Sequence, residues 1–512
     1  MSAQHKTAQV IPHGGHADVC LLLEGTWPYV RGGVSSWINQ IILGLPNVTF
    51  SVLFIGGQRE LYGQRHYEIP GNVVHIEEVF IEDAWQFAPR TEQEASEGST
   101  RDLQNMYRYF HHPQKPDQIT GDAVLGSLAS GQLTMQDVLR SRASWEAITD
   151  GYLNHCSDPS FINYFWTMRT MQSPMVMIAE AAARMPRARL LHAISTGYAG
   201  LAGCILKRRW QCKFILSEHG IYTKERKIDL AQASWIAENA DEALNSSLDP
   251  SSGYIRSMWI RFFERIGLMV YRNAEPIIAL YDGNRQRQIL DGADADRTRV
   301  IPNGIDLARW NPVRENRATG IAPVVGLIGR VVPIKDVKTF IRAMRTIVTQ
   351  LPETEGWIIG PEDEDAEYAA ECHSLVSSMG LEKNVRFLGF QKAEEIMPKI
   401  GVMVLTSISE AQPLVILEAW CAGTPVVSSD VGSCRELIEG GTAEDRDLGQ
   451  AGEVVAIADP QATANAVLGL LRNPQRWQAA QAAGIARANR YYGEALMLER
   501  YRKLYSSSMG TL

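Results

Sequence analysis

A chain of 512 residues exceeds what one hydrophobic core serves, so two or more domains are expected. Its 45% hydrophobic and 21% charged residues are ordinary for a soluble globular protein, and a net charge of -8 argues against nucleic acid as the main ligand. Seven cysteines without a CxxC pair fit a reduced, cytoplasmic setting; the first sixteen residues, polar and flexible, form no signal peptide, and no run approaches the roughly 20 apolar residues of a membrane span.

Ala17 to Leu23 is a continuous apolar run, the pattern of a strand buried on both faces. A glycine-rich loop from Glu24 to Gly33 follows, and then Val34, Trp37, Ile38, Ile41, Ile42 and Leu45 recur at helical spacing. Strand, glycine loop and amphipathic helix form a βα opening of nucleotide-fold type, although the loop is neither GxGxxG nor a Walker A sequence. It reads as a phosphate or sugar contact or as a plain tight turn. Strands continue at Val48 to Ile55 and Val73 to Phe80. From about 81 to 160 the alternation breaks down, and the acidic, aromatic stretch with Glu92, Glu94 and Glu97 predicts a helical insertion. Its adjacent His111 and His112 lack a third ligand at useful spacing and are expected on a solvated face.

Alternation resumes with a helix at Phe161 to Arg184, a strand at Arg189 to Ile194, a helix from Tyr198 and a strand at Lys213 to Ser217. His219 follows that strand, where catalytic groups gather but surface histidines also occur. A helix at Ser251 to Tyr271 and a strand at Pro276 to Leu280 lead to the Asn303-Gly304 turn. The first domain is therefore set at 17–306. Residues 307–321 lose periodicity and are expected to be a linker. A second βα series follows over 322–473, with strands at Val324, Gly356, Val385, Val402, Pro425 and Glu453. Two series of alternating strands and helices predict an α/β protein of two doubly wound, Rossmann-like domains facing a cleft. Residues 474–512 are expected to be helical and to cross back to the first domain.

The chemistry concentrates between Glu410 and Glu418. Pro413 suits the first position of a helix, and the free N–H groups of Leu414 and Val415 behind it make an anion cradle between two acids. Arg330 and Lys335 flank another loop at a strand's carboxyl edge and are suited to neutralise a diphosphate. Paired acids also suggest a glycoside hydrolase, but cations and a helix start fit a nucleotide-sugar donor better. The Asp-x-Asp pairs at 294/296, 363/365 and 445/447 lie in polar turn sequences, so no metal is expected.

Glu410-x7-Glu418, the Gly329-Arg330…Lys335 loop, Val300 to Asp306, Gly32-Gly33 and Gly423 to Val427 together resemble the retaining GT-B glycosyltransferases of family 4. The stretches Leu22 to Trp37, Ser217 to Tyr222 and the insertion look most like the branch of that family serving bacterial Pel exopolysaccharide synthesis. The resemblance implies that His219 and Glu410 lie at the reacting sugar, and that Gly33, Arg330, Lys335, Pro413, Leu414 and Val415 hold the donor diphosphate. It places Glu418, Gly360 and Phe390 on the ribose and nucleotide, and Glu24, Gly32, Glu218 and Asn303 elsewhere in the cleft. Gly220 departs from the family, where an Asp is common. The implied reaction moves a hexose or N-acetylhexosamine from a UDP-sugar co-substrate to a polysaccharide acceptor, without cofactor or metal. The implied partners are inner-membrane polysaccharide synthase subunits, which would hold a cytoplasmic chain at the membrane. A nucleotide-sugar epimerase and a non-catalytic UDP-sugar-binding subunit are the alternatives.

Overall fold

The computed structural model describes residues 12–85, 94–114, 117–157, 160–232 and 250–510. The expectation for most of the N-terminal segment, and Glu92 in the insertion, lie outside them. The chain divides into two units. The first takes in the chain up to Ala279, Arg285–Arg299 and the residues from Tyr501; the second takes in Leu280–Asn284 and Val300–Arg500.

The first unit is built on β1 (Ala17–Glu24), β2 (Phe50–Gly56), β3 (Val73–Phe80), β4 (Ala188–Ala193), β5 (Lys213–Glu218), β6 (Ile277–Ala279) and β7 (Thr298–Val300). Their order in the sheet is β3-β2-β1-β4-β5-β6-β7, with parallel registers from β3 through β6. The central strands carry apolar side chains on both faces: Cys20 and Leu22 on one, Val19, Leu21 and Leu23 on the other, all fully buried. The helix Gly33–Gly44 turns Trp37, Ile38, Ile41 and Ile42 into the core.

Between β3 and the helix Phe161–Arg184, the sequence inserts the helices Glu97–Phe110, Gln118–Ser130, Met135–Arg140 and Arg142–His155. Each begins where its sequence says it should. The side chains of Ser96, Asp117, Thr134 and Ser141 accept hydrogen bonds from the backbone N–H three residues on. The insertion shares the first unit's core, with Leu103, Met106, Val124 and Leu128 in one cluster with Cys20 and Leu22. His111 corrects the expectation of a solvated face. It is buried, with its ring stacked at 4° on Phe262. An aromatic-sized slot, not water, accounts for its place in the sequence.

The second unit carries β8 (Val324–Ile328), β9 (Glu355–Ile359), β10 (Val385–Phe387), β11 (Val402–Leu405), β12 (Val426–Ser429) and β13 (Gly452–Val455), all parallel, in the order β10-β9-β8-β11-β12-β13. The strand period of two sorts its side chains. Val402 and Val404 join one apolar layer, Met403 and Leu405 the other. Burying each such side chain stabilises the fold by about 1.5–3 kcal/mol.

Two boundaries differ from expectation. Residues 307–321 are not a plain linker: Leu307–Glu315 is a helix, capped by Asp306 and anchored by buried Trp310 and Val313. Its apolar signal is Leu307, Trp310 and Val313 in a nine-residue stretch that Pro312 interrupts, too short to show periodicity. The first unit also ends before 306, because Leu280–Asn284 and Val300 onward cluster with the second. At the C-terminus, the helix Pro474–Tyr491 belongs to the second unit, while the last helix, Glu494–Met509, runs into the first from Tyr501. There His192 is held between the hydroxyls of Tyr505 (2.7 Å) and Ser217 (2.8 Å), and Ser217 meets the Tyr501 hydroxyl at 3.0 Å.

Candidate active site

In the second unit the strand order reverses between β8 and β11, the switch point at which open parallel sheets leave a crevice beyond their carboxyl ends. The loop after β8 and the loop after β11 meet there. Thr406 Oγ1 donates to the Lys335 carbonyl at 2.9 Å, and the Ile408 N–H donates to the Ile334 carbonyl at 2.9 Å. This bracing aims the Lys335 ammonium at Glu410, with Nζ 2.5 Å from Oε1. Ser407 Oγ donates to the same carboxylate oxygen at 2.7 Å. Both ion-pair partners remain partly open to solvent, at 22% and 15% side-chain exposure, so the pair is reachable by a ligand.

The helix behind this pair is Leu414–Cys421, and Pro413 is its N-cap rather than its first residue. The correction is one position, and it leaves Leu414 and Val415 as the first N–H groups outside the helical ladder. The loop before it is locked from two sides. Gln412 Oε1 accepts from the Asn303 N–H at 2.7 Å. Gly432, at φ +53°, packs so closely that a Cβ there would lie 2.2 Å from the Glu410 carbonyl oxygen. Asn303 itself is buried and its Oδ1 has no partner among the described residues.

The other residues assigned to the donor side are placed less uniformly. Arg330 lies on the same loop as Lys335, but its guanidinium is exposed and engaged by Glu364 at 2.5 and 2.7 Å. Gly360 sits at φ +155° where a Cβ would fall 2.0 Å from the Gly329 carbonyl oxygen, so a bare backbone is required beside the cation loop. Its N–H donates to the Gly389 carbonyl at 2.9 Å, which sets Phe390 next to it, 77% exposed. Glu418 is half-buried and its carboxylate has no hydrogen-bond partner among the described residues. Burial pushes its carboxyl up to about 7; nearby Arg309 opposes the rise and Glu394 adds to it.

The first unit has its own cavity of about 440 Å³ at the carboxyl ends of its central strands. Glu24, Ser195, His219 and Tyr222 line it. His219 is buried, edge-on to Trp37 with ring centroids 4.5 Å apart, and its Nε2 has no partner among the described residues. Burial pushes its imidazole down to about 4, so it is neutral at physiological pH. Glu24 accepts from the Tyr222 hydroxyl at 2.7 Å and from Ser195 Oγ and the Ala199 N–H at 3.3 Å each. It therefore anchors the start of the helix Tyr198–Trp210 as well as lining the cavity. Gly32 and Gly33 are exposed at the head of the first helix.

Glu218, expected among the other cleft residues, is enclosed instead. It is buried, and its two oxygens accept from Thr196, the Tyr222 N–H, Tyr271 and Gln288 at 2.8–3.1 Å. With both oxygens engaged, Glu218 holds the β5 loop rather than a ligand. A Cβ at Gly220 would lie 1.9 Å from a Glu225 carboxylate oxygen, so that carboxylate fills the space a side chain at 220 would take. Sequence reasoning assigned no role to Ser195 or Tyr222. The available signal was position alone, since Ser195 falls in the loop past β4 and Tyr222 opens the helix Tyr222–Gln232 just past β5. Asp294 and Asp365 cap helical segments, and Asp445 pairs with buried Arg487 at 2.6 Å. Among the described residues, no group of three or more His, Cys, Asp and Glu side chains is placed to hold a metal ion.

Residues 17–296 match the domain of unknown function DUF3492, and residues 322–473 match the glycosyl transferases group 1. Over 293 residues the chain is 26% identical to D-inositol 3-phosphate glycosyltransferase 2 of Catenulispora acidiphila, covering 54% of this chain and 61% of that relative. It is 26% identical over 308 residues to alpha-maltose-1-phosphate synthase of Mycolicibacterium smegmatis, covering 57% and 70%. Among solved structures it is similar to Anabaena HepE in complex with UDP and glucose, at 17% identity and a TM-score of 0.57, over 96% of this chain and 100% of that one. Sucrose-phosphate synthase from Thermosynechococcus elongatus gives 16% identity and a TM-score of 0.57 over 97% and 100%. Two parallel-sheet, Rossmann-like units with these matches define the GT-B class of glycosyltransferase folds. The chain belongs to the DUF3492 family, its residues 322–473 match the glycosyl transferases group 1, and it spans less than two thirds of the first of these relatives.

Proposed function

We propose that this chain is a retaining, metal-independent glycosyltransferase that moves a hexose or N-acetylhexosamine from a UDP-sugar to a growing bacterial exopolysaccharide of the Pel type. The observation that carries the reading is the Lys335–Glu410 pair at the switch point of the second sheet, beside the start of the helix Leu414–Cys421. A cation, a carboxylate and free N–H groups at one crevice suit a leaving diphosphate attached to a hydroxylated sugar. The diphosphate takes Lys335 from Glu410, and Glu410 then turns its oxygens to the sugar hydroxyls. Arg330 joins by leaving Glu364. These fixed positive groups stabilise the charge that develops on the departing phosphate. A phosphate oxygen accepts the acceptor proton on the same face, which retains the anomeric configuration without a protein nucleophile. His219, neutral and with no partner on Nε2 among the described residues, serves as a hydrogen-bonding group toward the sugar rather than as a cation.

UDP as the leaving group is supported by the shared fold with HepE, which was crystallised with UDP and glucose and with UDP-glucose. The Pel-type product rests on the likeness of Leu22 to Trp37 and Ser217 to Tyr222 to PelF, and brings inner-membrane synthase subunits as partners of a cytoplasmic chain. No helix among the described residues is long and apolar enough to cross a membrane, so membrane attachment is assigned to those partners. The test is a thermal-shift and hydrolysis panel of UDP-, GDP- and ADP-sugars. UDP-sugars should raise the melting temperature and release UDP when oligosaccharide acceptor is present. Preference for GDP- or ADP-sugars would overturn the donor, and sugar conversion without UDP release would replace transfer by epimerisation.

A further inference from the structure

Within the insertion, a cavity of about 670 Å³ opens between the helices Met135–Arg140, Arg142–His155 and Phe161–Arg184. Three arginines line it: Arg140, Arg142 and Arg169. Arg169 is the unusual one, at 3% exposure. Its Nη1 donates to the neutral Ser144 hydroxyl at 2.7 Å, and its guanidinium lies over the Phe165 ring, 5.0 Å from the centroid. Among the described residues no carboxylate pairs with it, although a buried cation normally requires a counter-charge. Burial and the neighbouring Arg140 lower its proton affinity to about 10, which still leaves it charged at neutral pH. Arg142 stands at the rim, largely exposed and tethered to Glu146 at 2.8 Å. The acid on the cavity wall is Glu94, so the lining is cationic on balance. Trp145 and Phe165, with ring centroids 5.7 Å apart, supply an aromatic wall beside the cations.

We infer that this cavity binds a ligand carrying a phosphoryl group, which Arg169 and Arg142 grip while Trp145 and Phe165 contact its less polar remainder. A guanidinium fork matches phosphate oxygens better than an ammonium does, and Arg169, bonded through Nη1 to a neutral hydroxyl, lines the cavity with no carboxylate paired to it among the described residues. The same chemistry is offered by a free phosphorylated molecule and by the headgroup of an anionic lipid. The site lies on other elements than the proposed donor pair, and its existence does not depend on that reading.

The test uses the full chain with Lys335→Ala and Arg330→Ala, which removes the proposed donor cations as competing anion ligands. Inorganic pyrophosphate is titrated by calorimetry, and vesicles of phosphatidylglycerol or of phosphatidylcholine are sedimented with the protein. One saturable site is expected, weakened about tenfold or more by Arg169→Gln and several-fold by Arg142→Gln. Pelleting with phosphatidylglycerol alone, lost in the same variants, assigns the lipid headgroup. Pyrophosphate binding without pelleting assigns a soluble ligand. If Arg169→Gln fails to fold, the solvent-exposed Arg142→Glu carries the test. Absence of both pyrophosphate binding and pelleting, or binding unchanged in Arg142→Glu, overturns the site.

Discussion

Lys335 and Arg330 sit five residues apart in one loop, yet their surroundings predict unequal roles. Lys335 is partly enclosed and already faces the carboxylate of Glu410, whereas Arg330 is exposed and must be drawn from Glu364. Lys335→Ala is therefore expected to weaken UDP binding by at least about 2 kcal/mol, the scale of truncating a charged hydrogen-bond partner. Arg330→Ala should cost about half as much, because its exposed ion pair returns part of the gain to solvent. Calorimetry on both variants decides this, and a larger loss in Arg330→Ala would invert the assignment. Glu418 adds a pH dependence. Its carboxyl titrates at about 7 because burial disfavours the charge, and the ionised form is the better acceptor for ribose hydroxyls. Uridine, which carries no titrating phosphate, should bind more tightly as pH rises from 6 to 8. Glu418→Gln should flatten that rise; the same slope in both proteins would remove Glu418 from the ribose.

The elements that place these side chains are short loops, and their geometry rests on backbone approach rather than on side-chain contact. Gly432 shows this most directly. Its positive φ costs a residue with a Cβ about 1–2 kcal/mol, and that Cβ would meet the carbonyl oxygens of Glu410 and Ala411 at 2.2 and 2.5 Å. Gly432→Ala should lower the melting temperature and cut transfer more than UDP affinity, because the displaced loop carries Glu410 rather than Lys335. Full turnover in this variant would show that the loop absorbs the shift. The strands of both sheets were legible because buried parallel strands leave continuous apolar runs, as Ala17 to Leu23 and Val402 to Leu405 do. The helix at 307–315 was not, since Leu307, Trp310 and Val313 span too short a segment, interrupted by Pro312, to read as periodic. Lys335 and Glu410, 75 positions apart, were legible as site residues by charge and loop position. Their direct pairing depended on Thr406 and Ile408 bracing the loop, contacts with no local sequence signature. Glu218 misled for the opposite reason. A carboxylate after a strand looks functional until Thr196, Tyr271 and Gln288, distant in sequence, satisfy it.

At the scale of the whole chain, three buried histidines with lowered proton affinity lie in the first unit and tie part of its stability to pH. His111, His192 and His219 are all buried there, and burial pushes their imidazoles down to about 3, 3 and 4. His192 is held by the hydroxyls of Ser217 and Tyr505, so replacing it would break a network. His111 has no partner on either ring nitrogen among the described residues and stacks on Phe262, so phenylalanine should fit its slot. Nearby Arg265 and Arg261 further disfavour its charged form. The folded value lies below the ordinary 6.5, so the unfolded chain binds the proton first as pH falls. The stability tied to a neutral His111 is thus fully present above about 6.5 and is lost progressively down to about 3. His111→Phe removes that loss. Relative to the native chain, its advantage at pH 5 should exceed its advantage at pH 7 by about 2 kcal/mol, from about 1.5 pH units of linkage at 1.36 kcal/mol each. Buried Glu218, whose carboxyl is raised by burial, pulls the unit's overall acid profile the other way, but it is common to both proteins and cancels in the comparison. Urea unfolding at the two pH values, followed by tryptophan emission, measures the difference directly. An equal advantage at both would mean that His111 is protonated in the folded chain, and the slot against Phe262 would then have to admit water.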